Sequence, residues 1–271
     1  MKTKIILATS LLAIGSINAQ TYSEDFSTDA GQFTSLNNTT VNTTTGAIEF
    51  VNTNGQGGGI TVDINTDDVL GTGFNNANAQ PLFFQFDTIV PVGTNAQDEL
   101  GFFFGPSSGQ AQSSDIFNGN NTNGFTIFFN DGGLFAQNNG QGSQSSASNG
   151  SVNILSGLDE GSAITISIEW FLTPAQNNGQ FNNAFTVTAT GVDESGDPIT
   201  ATDTFDGAIN QGTTQINNYQ FTASTTQGLT GTLDNFTVST EPIPTDAIPE
   251  PSSALLTGLG ALALLSRRRR A

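Results

Sequence analysis

The chain has 271 residues, with 24 acidic and 6 basic side chains, no histidine and no cysteine, and a formal net charge of −18. The basic residues are Lys2, Lys4 and Arg267 to Arg270, so nothing between Ile5 and Ser266 opposes the 23 acidic residues left once Glu250 is set aside. Nucleic acid and anionic lipid headgroups are thereby excluded as partners of the central region, because phosphates need Lys or Arg to neutralise them. Salt bridges within that region are excluded too, as are a disulfide framework, thiol catalysis, a Ser-His-Asp arrangement and soft-ligand zinc or copper sites.

At the N-terminus, Lys2 and Lys4 precede an apolar stretch from Ile5 to Ile14, and Ser16-Ile17-Asn18-Ala19 supplies small residues before Gln20. That order is the one of a secretory signal peptide cut between Ala19 and Gln20, although Ile17 is an unusual residue three before the cut. The apolar run is short for a membrane span, which needs roughly 20 residues. Residues 1–19 are therefore expected to be a signal peptide, 20–240 a single all-β domain and 241–248 a linker. The domain is large enough to hold a core without disulfides.

Along the domain, the pattern is strand after strand. An acidic and aromatic segment, Tyr22-Ser23-Glu24-Asp25-Phe26-Ser27, comes first. Asp63-x-Asn65-x-Asp67 begins like a calcium loop, but Asp68 stands where the glycine turn belongs and Phe74 where the closing glutamate belongs. The doublets Asp67-Asp68 and Asp98-Glu99 remain as hard-oxygen candidates for a structural calcium, with no ligand set assigned; otherwise no cofactor is expected. Leu82 to Val90, Leu100 to Phe104 and Phe125 to Phe129 read as strands, and Asp131-Gly132 joins the last to Gly133-Leu134-Phe135 as a tight hairpin. Phe83, Phe103 and Phe128 fall on the strand faces opposite Phe84, Phe102 and Ile127. They form either an exposed apolar strip or a covered one, and the aggregation hazard of an open strip favours cover. Gln137 to Ser151 is a long surface loop in expectation.

Ile164, Ile166, Ile168, Trp170 and Leu172 alternate with Thr165, Ser167, Glu169 and Phe171, so Trp170 is expected in the core rather than on a sugar platform. Phe185, Val187 and Ala189 alternate with Thr186, Thr188 and Thr190 in the same way. Asp193-Glu194-Ser195-Gly196-Asp197 is the densest acidic cluster, and its Ser-Gly step with Pro198 marks a turn. Ile199 to Phe205, Tyr219 to Ala223 and Leu233 to Val238 complete the strands, and Asn-Gly steps at Asn54, Asn118, Asn123, Asn139, Asn149 and Asn178 punctuate them. No helical periodicity occurs outside the two ends.

The C-terminus is the most specific feature. Pro249-Glu250-Pro251 precedes an apolar run from Ala254 to Leu265, then Ser266 and Arg267, Arg268, Arg269 and Arg270. Prolines keep the first part extended, the apolar run is too short for a stable span, and the arginines cannot cross a bilayer. Residues 249–271 resemble the PEP-CTERM sorting signal of exported bacterial proteins. That resemblance implies an exosortase-type processing enzyme as partner, a short hydrophobic helix in transient membrane contact, and a destination at the cell surface or in an extracellular polysaccharide layer.

The domain itself resembles the concanavalin-like, or laminin-G-like, jelly roll: an antiparallel β-sandwich. The resemblance rests on the YSEDFS start, the ITISIEW and FTVTATG strands, and the closing Leu233-Asp234-Asn235-Phe236-Thr237-Val238. Such domains bind glycans, act as adhesion modules or, in some families, hydrolyse glycans. The hydrolases carry Glu-x-Asp-x-x-Glu on one strand, which this chain lacks, and Glu169 has no acidic partner two residues away. The chain is therefore read as a non-enzyme. The first reading is an exported surface or matrix protein with a structural or adhesive role among exopolysaccharides. A glycan-binding, lectin-like module is the second, and a carbohydrate-active enzyme a distant third.

Overall fold

A computed structural model describes residues 20–36, 39–43, 46–52, 58–64, 69–70, 81–92, 100–106, 125–130, 132–138, 152–173, 181–209, 219–225 and 228–244. The signal-peptide region before Gln20, the sorting motif from Pro249 to Arg270, the six Asn-Gly steps, Asn65, Asp67, Asp68, Phe74 and the Asp98-Glu99 doublet lie outside the described residues, as does most of Gln137 to Ser151. Among the described residues no helix is long and apolar enough to cross a membrane.

All described strands pair antiparallel in two sheets. The eight-stranded sheet runs β13 (Pro198–Ile209), β12 (Phe181–Val192), β11 (Ala163–Thr173), β6 (Leu82–Ile89), β15 (Thr230–Ser239), β4 (Ile48–Asn52), β3 (Thr39–Asn42), with β1 (Thr21–Glu24) also on β15. The seven-stranded sheet runs β10 (Val152–Leu155), β9 (Gly133–Asn138), β8 (Phe125–Asn130), β7 (Leu100–Pro106), β14 (Tyr219–Thr225), β5 (Gly58–Asp63), β2 (Thr34–Leu36). β15 is the organising strand. It lies against β6 along one edge and divides its other edge between β4 at Thr230 to Leu233 and β1 at Phe236 to Ser239. The strands belong to one compact unit that ends at Glu241.

Alternation places the core where period two requires. Ile164, Ile166, Ile168 and Trp170 of β11 and Phe185, Val187 and Ala189 of β12 are buried between the sheets. Trp170 stacks on Phe185 (5.4 Å, 17°), and Phe185 stacks on Phe125 of the opposite sheet (4.0 Å, 8°), so one aromatic column ties the layers together. Phe221 anchors a second group, meeting Phe33, Phe86, Phe104 and Phe236 at 4.8 to 6.0 Å. Each such pair adds about 0.5–1.5 kcal/mol beyond area burial, which matters in a domain without ion pairs or disulfides.

The expected turns form. Asn130 pairs with Gly133 across the two-residue hairpin, where Gly132 takes φ +68°. Between β12 and β13, the Asp193 carboxylate accepts the Ser195 and Asp197 amides (2.8 and 2.9 Å), and Gly196 takes φ +80°. The densest acidic cluster is thus a hydrogen-bonded turn.

Two features were not foreseen. The segment between Ser27 and Leu82 contributes β2 to β5, short strands whose alternation is interrupted by polar and glycine-rich stretches. The three phenylalanines do not form one strip. Phe103 and Phe128 are 1% and 4% exposed on the outer face of the seven-stranded sheet, packed with Phe135, whereas Phe83 is half-buried on the outer face of the other sheet.

Candidate functional site

The outer face of the eight-stranded sheet is broken by one irregularity. Asp234 pairs with Asp87 and Thr237 with Gln85, so β15 spends one more residue than β6 over the same span. This is a β-bulge. Leu233 and Phe236 on either side of it both stay in the core, while Asp234 and Asn235 both turn outward. Asn235 takes φ +49°, a left-handed conformation that Asn tolerates better than most residues.

The bulge opens a cleft of about 540 Å³ where β1, β6 and β15 meet, lined by Ser23, Glu24 and Asp25, by Gln85 and Asp87, and by Asn235 and Thr237. A second hollow of about 360 Å³ adjoins it beside Ile89 and Thr232 and shares Asp87. Asp87 is the hinge of the arrangement. One carboxylate oxygen accepts the Thr165 hydroxyl (2.5 Å), and the other accepts the Asn235 side-chain amide (2.8 Å). The carboxylate is thereby held as a fixed acceptor.

The far wall of the cleft is built by the end of β1. Phe26, fully buried, sits at φ +51°, which is costly for a bulky side chain. Its amide is bound by Glu24 (3.3 Å), and the Ser27 amide is bound by Asp25 (3.0 Å). Tyr22 donates to Glu24 (3.4 Å) and accepts the Gln32 amide (3.2 Å). Among the described residues, Phe26 and Asn235 are the two non-glycine residues at positive φ, and both flank this cleft. Strain of this kind, roughly 1–3 kcal/mol each, persists where surrounding structure over-determines it and clusters at functional sites.

The electrostatics follow from crowded carboxylates. Burial pushes the Asp234 carboxyl above the ordinary aspartate range; the Asn235 amide opposes this, and the negative charges of Asp87 and Asp25 add to it. The Ser27 amide and hydroxyl draw Asp25 the other way. Burial also raises the Tyr22 phenol, against the Gln32 amide. Among the described residues no three carboxylates converge as metal ligands.

Glu24 and Asp25 of the acidic and aromatic first segment line the cleft, and Asp234 of the closing segment lines the adjoining hollow, whereas the acidic positions weighed for catalysis or calcium do not. Glu169 stands outward on β11 beside Phe83 and Thr186, the Asp193 to Asp197 cluster is a turn, and of the calcium-loop candidates Asp63 ends β5 opposite Gln220 while Asn65, Asp67, Asp68, Asp98 and Glu99 lie outside the described residues. Gln20, at the expected cut, is exposed and its carbonyl accepts the Thr240 amide (3.0 Å). A signal for the site was present in the sequence. In Leu233-Asp234-Asn235-Phe236-Thr237-Val238 the core residues are spaced three and then two apart, a break in period that marks a bulge.

No protein-family model matches the sequence, and no curated protein sequence matches it. Solved structures do match in shape. Peanut lectin with a nonamer peptide aligns with a TM-score of 0.51 at 12% identity, over 82% of this chain and 97% of that one. Lectin II from Ulex europaeus gives 0.50 at 12% identity, over 81% and 97%. The lectin from Bauhinia forficata in complex with GalNAc gives 0.50 at 10% identity, over 82% and 97%. The fold of this chain is an antiparallel, jelly-roll β-sandwich of the kind seen in legume lectins.

Proposed function

We propose that this chain is an exported glycan-binding module whose binding site is the cleft at the β15 bulge. The observation that carries the reading is the Thr165–Asp87–Asn235 relay: a fixed carboxylate acceptor beside an amide donor, surrounded by hydroxyls and held in place by two strained backbone positions. Sugars present alternating donors and acceptors on a rigid ring, and such a pre-organised polar set fixes their orientation. The lectin-like fold supports this reading over a purely structural one. With both its oxygens occupied by donors, Asp87 is a positioned acceptor and not a poised general acid, which favours binding over hydrolysis. An adhesive role in an exopolysaccharide layer then follows from glycan binding.

A glycan array probed with the full chain tests the site. Saturable binding to a defined glycan is expected, reduced roughly tenfold or more in Asp87→Asn and Asn235→Ala. An array without hits, or hits untouched by both substitutions, overturns the assignment.

Sorting is proposed from the terminal sequences alone. Cleavage after Ala19 and processing near Pro249 to Pro251 by an exosortase-type enzyme would leave the acidic domain outside the cell, free of Arg267 to Arg270. Intact-mass measurement of protein from its native host reads this directly. Recovery of the full-length chain stably embedded in membrane would refute it.

A further inference from the structure

The outer face of the eight-stranded sheet carries a regular grid of hydroxyls that leads into the cleft. Strand register aligns Thr202, Thr188, Ser167, Gln85, Thr237 and Ser23 in one row across β13, β12, β11, β6, β15 and β1. Parallel rows run on either side, one through Thr200, Thr190 and Thr165 to Asp87, the other through Thr204 and Thr186 to Glu169 and Phe83. On β12 and β13 the threonines close cross-strand pairs: Thr188 with Thr202 at 2.9 Å, Thr190 with Thr200 at 3.1 Å and Thr186 with Thr204 at 3.2 Å. The middle row continues through Ser167 to Gln85 (3.4 Å) and Ser23 to Thr237 (2.9 Å). Five inter-strand steps of about 4.8 Å give this row a length of roughly 24 Å.

Each threonine pair uses one hydroxyl hydrogen internally, leaving the other free to donate and lone pairs on both oxygens free to accept. Threonine is stiff at χ1, so these groups are pre-ordered. The threonine methyls and the half-buried Phe83 ring, beside the cleft, supply apolar patches between the hydroxyls. Charge decides what such a surface accepts. The 23 carboxylates between Gln20 and Ile248 have no internal cation against them, so the net field of the domain repels a polyanion.

We infer that this face is an extended subsite for a neutral, linear polysaccharide that lies across the strands with part of the chain seated in the bulge cleft. The inference rests on the glycan-binding reading and deepens it. An extended, ribbon-like β-1,4-linked chain suits the row, because equatorial hydroxyls line its edges and it needs no deep pocket. The cleft provides orientation, and the row provides affinity that grows with chain length.

The test uses the full chain with cellobiose, cellohexaose, hydroxyethylcellulose and carboxymethylcellulose. Cellohexaose is expected to bind at least tenfold more tightly than cellobiose, and neutral hydroxyethylcellulose to be retained where anionic carboxymethylcellulose is not. The double variant Thr188→Val/Thr202→Val removes both hydroxyls of one pair and keeps β-branched packing. It should weaken cellohexaose roughly tenfold, the loss of two ordinary hydrogen bonds, and leave cellobiose unchanged. Phe83→Ala should act on the same long-chain term. Equal affinity for cellobiose and cellohexaose, wild-type cellohexaose binding in the valine variant, or retention of carboxymethylcellulose would each overturn the inference while leaving the cleft reading standing. Failure to bind cello-oligomers alongside array hits for other glycans has the same meaning. A blank array takes down both.

Discussion

Asn235 does two jobs that substitution can separate. Its backbone occupies the left-handed region at the bulge, and its side chain donates to Asp87 at 2.8 Å. Alanine keeps neither advantage. A Cβ-bearing residue without a local polar partner pays about 1 kcal/mol more than Asn in that conformation, and a charge-assisted hydrogen bond at a solvent-facing site is worth about 1 kcal/mol. Asn235→Ala should therefore cost about 2 kcal/mol, which lowers Tm by about 4–8 °C in a domain of this size. Glycine also loses the hydrogen bond but relaxes the backbone, so Asn235→Gly should stay within about 1 kcal/mol of the parent. Both should lose glycan binding alike, since both lack the amide. Thermal unfolding by circular dichroism gives the first quantity and calorimetric titration with an array-identified glycan the second. Equal stability of the two variants would refute the strain assigned to the bulge. Glycine-variant binding at the parental level would show that the side chain does not touch the ligand.

The remaining predictions concern polarity and charge. Thr126 is 2% exposed and its hydroxyl has no hydrogen-bond partner among the described residues, so Thr126→Val should stabilise the domain by about 1–2 kcal/mol, read from the urea midpoint; a destabilised variant would mean that the hydroxyl is satisfied in solution. Raising sodium chloride from a few millimolar to about 0.1 M, where screening acts over about 10 Å, should raise Tm, and a Tm indifferent to salt would mean that self-repulsion is negligible. The Asp234 carboxyl is raised in the folded state, so its ionisation opposes folding. Its contribution is favourable below its unfolded value and is lost as pH rises through the folded one. Asp25 is depressed, so its contribution is present above its unfolded value and is lost as pH falls through the folded one. Stability should therefore rise on mild acidification toward about pH 4–5 and fall below it. Asp234→Asn should be more stable than the parent at pH 7, with the gain vanishing in acid; a gain independent of pH would remove charge as its cause.

Much of this protein is written in local patterns. The targeting signals expected at the two ends are read from short contiguous segments, without any fold. Period-two alternation marked β6, β7, β8, β11, β12, β13, β14 and β15, because a sheet with one face in the core dictates every second residue. It also assigned Trp170 to the core, and the Asp193 cluster to a turn through its Ser-Gly step. Composition removed whole classes of chemistry outright, since a side chain that is absent cannot act.

What alternation cannot supply is partnership. It tells which face a residue takes but not which sheet its strand joins, and so Phe83 and Phe103 looked equivalent until pairing put them on different layers. The short strands β2 to β5 have too few alternating residues to announce themselves and are held by their neighbours. The cleft is the clearest case. Asp87 and Asn235 are 148 residues apart, and Ser23 and Thr237 are 214 apart. They meet only because β15 is flanked by β6 and β1. The sequence by itself determined that Leu233 to Val238 is a strand, and its apolar residues stand three and then two apart, one residue more than strict alternation allows between Leu233 and Phe236. Only the tertiary structure decided that this surplus residue opens toward Asp87, because strand register is set by the packing of the whole sheet and not by the residues that line the site.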